Sequence, residues 1–269
     1  MPKKTEIFFH LGLERTATTF LQKRIFPYLP DIYHIKRREY DNYEKIISET
    51  DKNKYLISNE ISNNKLEAEI KNISKRFPDA KVILVLRRQD KWIASQYKRA
   101  VKKGYQHGIN NFLDVDNDKG EWKTKHLLLY PFIQTIENNF HNSPLILFHH
   151  QLEYDAGEFV SRLLDFLGTE VSVKDLTLKP THVSYSTKQL IIRRWISSRG
   201  IFREPNTASK SGVNFFLRLY KKFIRYIILN IALLIPGKLL KNKKFIPDAE
   251  LSKIRKYFEE DWKKCLQYK

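Results

Sequence analysis

The stretch IFFHLGLERTATTFLQ, residues 7–22, decides how this chain begins. Ile7–Leu11 is apolar apart from one histidine and too short for a helix, so it reads as a strand buried on both faces. Gly12 ends the run, and Thr16–Phe26 carries apolar residues at helix spacing. A strand that passes through a glycine loop into a helix presents N–H groups with no intrahelical acceptor, and the helix dipole adds partial positive charge. Thr16, Thr18 and Thr19 offer hydroxyl donors and Arg15 a charged fork. Gly12, Arg15, Thr16, Ala17, Thr18 and Thr19 therefore make a candidate anion cradle. It is not a Walker A loop, which needs G-x-x-x-x-G-K-[ST]; the second glycine and the lysine are both missing.

Outward from this stretch the pattern repeats. Tyr55–Ser58, Val82–Leu86 and Leu145–Phe148 read as further strands, separated by helix-period segments at Lys65–Phe77, Lys91–Lys103 and His126–Phe140. Strands almost free of charge, alternating with helices, predict an α/β fold. Its expected form is three-layer α/β/α, with a central parallel sheet and a P-loop-like strand–loop–helix, followed by C-terminal helices. Glu158–Gly168 predicts a helix closed by Gly168. No repeat or low-complexity linker interrupts the chain, so residues 1–269 read as one domain, with a core at about 5–190 and a basic helical part at about 185–269.

Composition limits the partners. Forty-nine Lys and Arg against 30 Asp and Glu give a net charge of +19, which points to an anionic partner. Fourteen Lys or Arg and one acid, Glu204, fall between Lys188 and Lys244, where apolar residues are also dense. That segment reads either as a core helix with snorkelling lysines or as a basic surface for an anionic membrane. Its longest nearly uncharged run, Tyr226–Ile235, is shorter than the roughly 20 residues that span a bilayer. A single cysteine, Cys265, excludes an internal disulfide or a thiolate zinc site. The N-terminal apolar run is broken too early for a signal peptide, which predicts a cytoplasmic protein. Abundant Lys, Ile and Asn suggest a bacterial source.

A second cluster lies in KVILVLRRQDKWIASQYKRA, residues 81–100. Arg87 falls at a strand's carboxyl end, where open α/β sheets bind ligands. Ser95 follows eight residues on, and Arg99 shares its helix face one turn later. Two anion sites at neighbouring strand ends fit a nucleotide phosphorylated at both 5′ and 3′ positions.

The ordered pair HLGLERTATTFLQ and VLRRQDKWIASQY resembles the two signature segments of the sulfotransferase family, which uses 3′-phosphoadenosine 5′-phosphosulfate. The weaker echoes YLISNE (55–60), FVSRLLDFLG (159–168), HVSYS (182–186) and FIPDAELSKIRKYFEEDW (245–262) extend the likeness. The resemblance implies that Gly12 and Arg15–Thr19 hold the 5′-phosphosulfate and that Arg87 and Ser95 hold the 3′-phosphate; Arg99, on the face of Ser95, is added to that phosphate site by its spacing alone. It implies sulfuryl transfer without a metal, leaving 3′,5′-bisphosphoadenosine. Arg15 stands where many members have lysine, and cannot act as a general acid because it stays protonated. Ala17 replaces a common glycine and is acceptable if its φ is negative.

The acceptor's proton needs a base. Glu60, after the strand Tyr55–Ser58, is the candidate; His149 and His150 are rivals, His10 reads as a core residue, and His107 and His182 fall in loops. A carbohydrate hydroxyl on a glycan or glycolipid is the expected acceptor, with Tyr105, Phe112 and Trp122 in a loop at 105–124 available to stack on a sugar. Nucleic acid is not expected as a partner. Two other readings remain at this point: a P-loop-like nucleotide kinase, and a non-catalytic basic module on a membrane or polyanion.

Overall fold

The computed structural model describes residues 5–169, 171–178, 186–199, 219–220, 223–224, 226–227, 230–231 and 244–269. His182, the HVSYS segment except Ser186, and most of Lys188–Lys244 lie outside these residues. Along the chain run β1 (Glu6–Leu13), α1 (Thr18–Phe20), β2 (Tyr33–Ile35), α2 (Tyr43–Glu49), β3 (Lys54–Ile61), α3 (Asn63–Arg76), β4 (Lys81–Leu86), α4 (Gln89–Lys103), α5 (Ile109–Phe112), α6 (Tyr130–Asn139), β5 (Leu145–Phe148), α7 (His149–Tyr154), α8 (Ala156–Leu167) and α9 (Thr187–Ser198). Helices Asp248–Tyr257 and Glu259–Leu266 follow. The chain forms two compact units.

The first unit comprises Met1–Gln89, Lys125–His182 and Phe258–Lys269. Its five strands are all parallel, in the order β2-β3-β1-β4-β5. Alternation along β1 sends Phe9, Leu11 and Leu13 to one face, where α3 contributes Leu66, Ile70 and Ile73 and α6 contributes Ile133 and Ile136. Phe8 faces the other side, against Phe159, Val160 and Leu163 of α8. Burial on both faces explains why these strands carry almost no charge. The helix start at Tyr130 is capped from Glu259–Leu266: Asp261 accepts from the N–H groups of Leu129 (2.9 Å) and Tyr130 (3.1 Å). The path after β1 leads to β2 on one side of the sheet, and the path after β4 leads to β5 on the other. The carboxyl ends of β1 and β4 therefore flank the topological switch point, where open sheets bind ligands.

Several elements differ from the sequence reading. β3 runs on to Ile61, so Glu60 lies within the strand, in register with Gly12 of β1. Thr16–Phe26 is not one α-helix: α1 is a three-residue turn that passes into a π-helical turn at Leu21–Ile25. α4 starts at Gln89, two residues before the expected Lys91, with Asp90 in its first turn to complement the dipole. Gly168 closes α8 at φ 59°, as expected.

The second unit comprises Asp90–Thr124 and Val183–Tyr257. Its described core is aromatic: Tyr97 packs on Tyr105, Phe112 and Phe245 with ring centroids 5.2–6.0 Å apart. Trp122 packs on Trp92 at 5.0 Å and on Phe112 at 6.5 Å. Ser186 caps α9, reciprocated by Gln189. Among the described residues no helix is long and apolar enough to cross a membrane.

Candidate active site

The turn out of β1 is built by its own side chains. Thr16, fully buried, donates its hydroxyl to the Leu13 carbonyl at 2.7 Å, and Thr18 donates to the same oxygen at 3.2 Å. Those two hydroxyls, expected as donors to an anion, are instead engaged within the turn and bend the chain. Gly12 has no room for a side chain, because a Cβ there would stand 2.5 Å from Thr18 Oγ1 and 3.0 Å from the Asn59 carbonyl. Ala17 caps α1 with no side-chain hydrogen bond, so the helix start receives no oxygen from its own cap residue. Its φ is +69°, against the negative value that would suit alanine, and Arg15 has φ +65°. A left-handed non-glycine residue costs about 1–2 kcal/mol. Two within three residues mark a turn whose conformation is imposed by its surroundings.

Arg15 is exposed, and Arg87 reaches it from the end of β4, its Nη1 donating to the Arg15 carbonyl at 3.2 Å. The first residue of α7, His149, completes the group. Its Nδ1 lies 3.2 Å from Glu153 Oε1, and the same carboxylate oxygen is 3.6 Å from Arg87 Nη2. Burial holds the His149 pKa down to about 3, with the charges of Arg87 and Arg15 lowering it further, so the ring is neutral at pH 7. His150 points elsewhere, with ring centroids 5.7 Å from Phe148 and 6.2 Å from Trp262.

Glu60, opposite Gly12, makes an ion pair with Arg37 at 2.8 Å and keeps 23% of its side chain exposed. Two residues back on the same strand face, buried Ser58 meets His10 Nδ1 at 2.8 Å and accepts from Gln22 Nε2 at 2.9 Å. His10 is fully buried, and burial lowers its pKa to about 3, matching its reading as a core residue.

In the second unit Ser95 is buried and Arg99 half-buried, one turn apart on α4. His107 is exposed, and its carbonyl accepts from Tyr97 at 2.8 Å. Tyr105, Phe112 and Trp122 are not left to stack on a sugar. They bury one another and Tyr97, since apolar ring area is more stable packed than held out for a ligand. Among the described residues no group of three or more His, Cys, Asp or Glu could hold a metal ion.

The family model for the sulfotransferase domain matches residues 8–143, just over half of the chain, and takes in β1 from Phe8 onward and all of β4, with the loops that follow them. The chain belongs to the sulfotransferase family. Among curated proteins none matches its sequence. Among solved structures, a sulfotransferase from Alicyclobacillus acidocaldarius superposes with a TM-score of 0.52 at 14% identity, covering 74% of this chain and 96% of that one. At that identity the likeness is one of fold. A mouse sulfotransferase, SULT7A1, complexed with PAP gives a TM-score of 0.41 at 16% identity over 62% of this chain and 60% of that one.

Within this sulfotransferase the structure brings Arg15, Arg87 and His149 together at one end of the sheet and sets Glu60 in register with Gly12. Sequence reasoning missed Arg37 and Glu153. Arg37 lies 23 residues from its partner in a 3-10 segment, a separation that leaves no periodic trace. Glu153 could have been found: it stands four residues after His149, one helical turn away.

Proposed function

We propose that the chain transfers the sulfuryl group of 3′-phosphoadenosine 5′-phosphosulfate to a hydroxyl, rather than an amine, of a carbohydrate acceptor. The observation that carries this is the coupling of two arginines from adjacent strand ends, Arg87 to the Arg15 carbonyl, at the switch point of a parallel sheet. The donor set fits a doubly anionic nucleotide. Both guanidiniums stay charged at any working pH, and the start of α1 has no side-chain cap of its own. The donor nucleotide, when bound, supplies an activated sulfuryl group for in-line displacement.

The residues then have distinct tasks. Gly12 and the Arg15–Thr19 backbone hold the 5′ end, and Arg15 neutralises charge that builds on the leaving oxygen, a stabilisation typically worth several kcal/mol. Arg87 takes the 3′-phosphate; Ser95 and Arg99 join it in this reading on their spacing along α4. Glu60 accepts the acceptor's proton, oriented by Arg37. His149 is engaged with Glu153 through Nδ1, whereas Glu60 stands in register with Gly12 of the cradle, which favours Glu60 as the base. Both compact units serve a single domain in this reading, because the family match crosses from one into the other.

A net charge of +19 favours an acceptor that carries negative charge, as anionic glycans and glycolipids do. We also place the protein in the cytoplasm, peripheral to an anionic membrane. Leu219, Tyr220, Phe223, Tyr226, Ile227 and Ile231 are exposed at helical spacing in the most basic part of the chain, and this supports that placement. Sedimentation with phosphatidylglycerol vesicles but not with phosphatidylcholine alone is the expected result; equal behaviour with both would count against it.

Isothermal titration tests the nucleotide. Binding of 3′,5′-bisphosphoadenosine without magnesium, with no response to ATP–Mg²⁺, is expected; the reverse preference would make the protein a kinase-like enzyme. Steeply salt-dependent binding that ignores nucleotide identity would favour a non-catalytic basic module. Mass spectrometry of surface glycans and lipids from a deletion strain then identifies the acceptor.

A further inference from the structure

Glu153 is the acid that contacts Arg87, one of the two arginines assigned to the nucleotide. Its Oε1 is 3.6 Å from Arg87 Nη2 and 3.2 Å from His149 Nδ1, and its side chain is 59% exposed. Arg87 does not depend on it for placement, because Nη1 is anchored on the Arg15 carbonyl at 3.2 Å. The Nη2 contact is the one an incoming anion can take over. His149 keeps the carboxylate close: it stands one turn away on α7, is 16% exposed, and offers Nδ1 without adding a charge. The groups facing the carboxylate are Arg87, just after β4, and His149 from its own helix, with His150 close enough to feel its charge.

We propose that Glu153 is an internal counter-anion that competes with the nucleotide phosphate for Arg87 and sets how tightly nucleotide is held. The inference rests on the nucleotide reading given above. A carboxylate within 4 Å of a phosphate-binding guanidinium occupies the partner the phosphate needs, so the phosphate must displace it or share the guanidinium's charge with it. The cost falls equally on donor and product, because both carry the same 3′-phosphate. Lowering the grip on the product matters wherever release limits turnover, as it does in many enzymes. Glu153 therefore trades nucleotide affinity for release, and its negative charge, not its size or hydrogen bonding, is the active property.

Glu153→Gln isolates that charge, since the amide keeps the shape and can still accept from Arg87 and His149. Titration with 3′,5′-bisphosphoadenosine should show Kd falling about three- to tenfold relative to the unmodified protein, a range set by the exposure of the carboxylate. In an Arg87→Ala background the same substitution should leave Kd unchanged, which a general loosening of α7 would not produce. An unchanged or weaker Kd for Glu153→Gln, or a gain that persists without Arg87, overturns the proposal. If the unmodified protein fails to bind the bisphosphate at all, the nucleotide reading fails first and this inference falls with it.

Discussion

Two segments of this chain invite a ligand on paper, the loop after β1 at 12–19 and the stretch 105–124, and the structure treats them in opposite ways. The first leaves its charged group, Arg15, exposed at a strand end, with the chain bent beneath it by buried threonines. The second folds its rings inward, so that Phe112 is 4% exposed and touches Tyr97, Tyr105 and Trp122. The difference is physical. A guanidinium is expensive to bury and stays at the surface, whereas an aromatic ring gains by burial wherever it finds a partner. Aromatic content in a loop is therefore a weak sign of a site, since the rings can be taken up by the core.

The comparison breaks most easily at Phe112. If the ring is core, Phe112→Ala should destabilise the second unit by about 3–5 kcal/mol, as large-to-small changes in packed cores do. Denaturant unfolding followed by the fluorescence of Trp92 and Trp122 would show it. A stable variant with weakened acceptor binding would return the ring to ligand duty. Arg15→Ala should do the opposite. The fold should hold, and sulfuryl transfer should fall about 10²–10³-fold, the loss typical of one removed charge-stabilising donor. Steady-state assay and thermal melting on the same sample decide it, and unchanged turnover would remove Arg15 from the chemistry.

The buried histidines around the first segment give a third effect, spread over several pH units. His10 and His149 have folded pKa values lowered from 6.5 to about 3, so the folded chain keeps them neutral while the unfolded chain protonates them below 6.5. Stability should therefore be highest above pH 6.5 and fall as pH drops toward 3, by at most about 1.4 kcal/mol per pH unit for each ring. Urea midpoints between pH 7 and 4 measure the slope. His149→Gln should flatten it by one ring's share, and a slope that ignores the substitution would show that His149 titrates normally.

These contrasts also mark what could be read from the sequence. The strands β1, β4 and β5 were legible because burial on both faces strips them of charge, leaving IFFHL, KVILVL and LILF with no other explanation. β2 was not, since three residues, Tyr33–Ile35, carry too little pattern to rise above a turn. The cradle's residue types were legible, and the loop's backbone was not: nothing in ERTATT says that Arg15 and Ala17 take positive φ. The π-helical turn at Leu21–Ile25 is equally silent, yet it belongs to the segment from which Gln22 reaches Ser58 of β3. Pairings such as Glu60–Arg37 are tertiary facts and leave no local trace.

Ala17 carries the smallest effect and asks the sharpest question of the cradle. At φ +69° its Cβ crowds its own backbone, a cost absent in glycine. Ala17→Gly should therefore stabilise the fold by about 1 kcal/mol, net of the extra freedom glycine gives the unfolded chain. A melting temperature that falls instead would show that the left-handed geometry is not retained. Turnover adds a second reading from the same variant. If it is unchanged, the strain is incidental, and glycine would serve this loop equally well. If turnover falls while stability rises, the methyl group is helping to hold the N–H groups of the turn in place, and the strain at Ala17 is part of how the loop grips its anion.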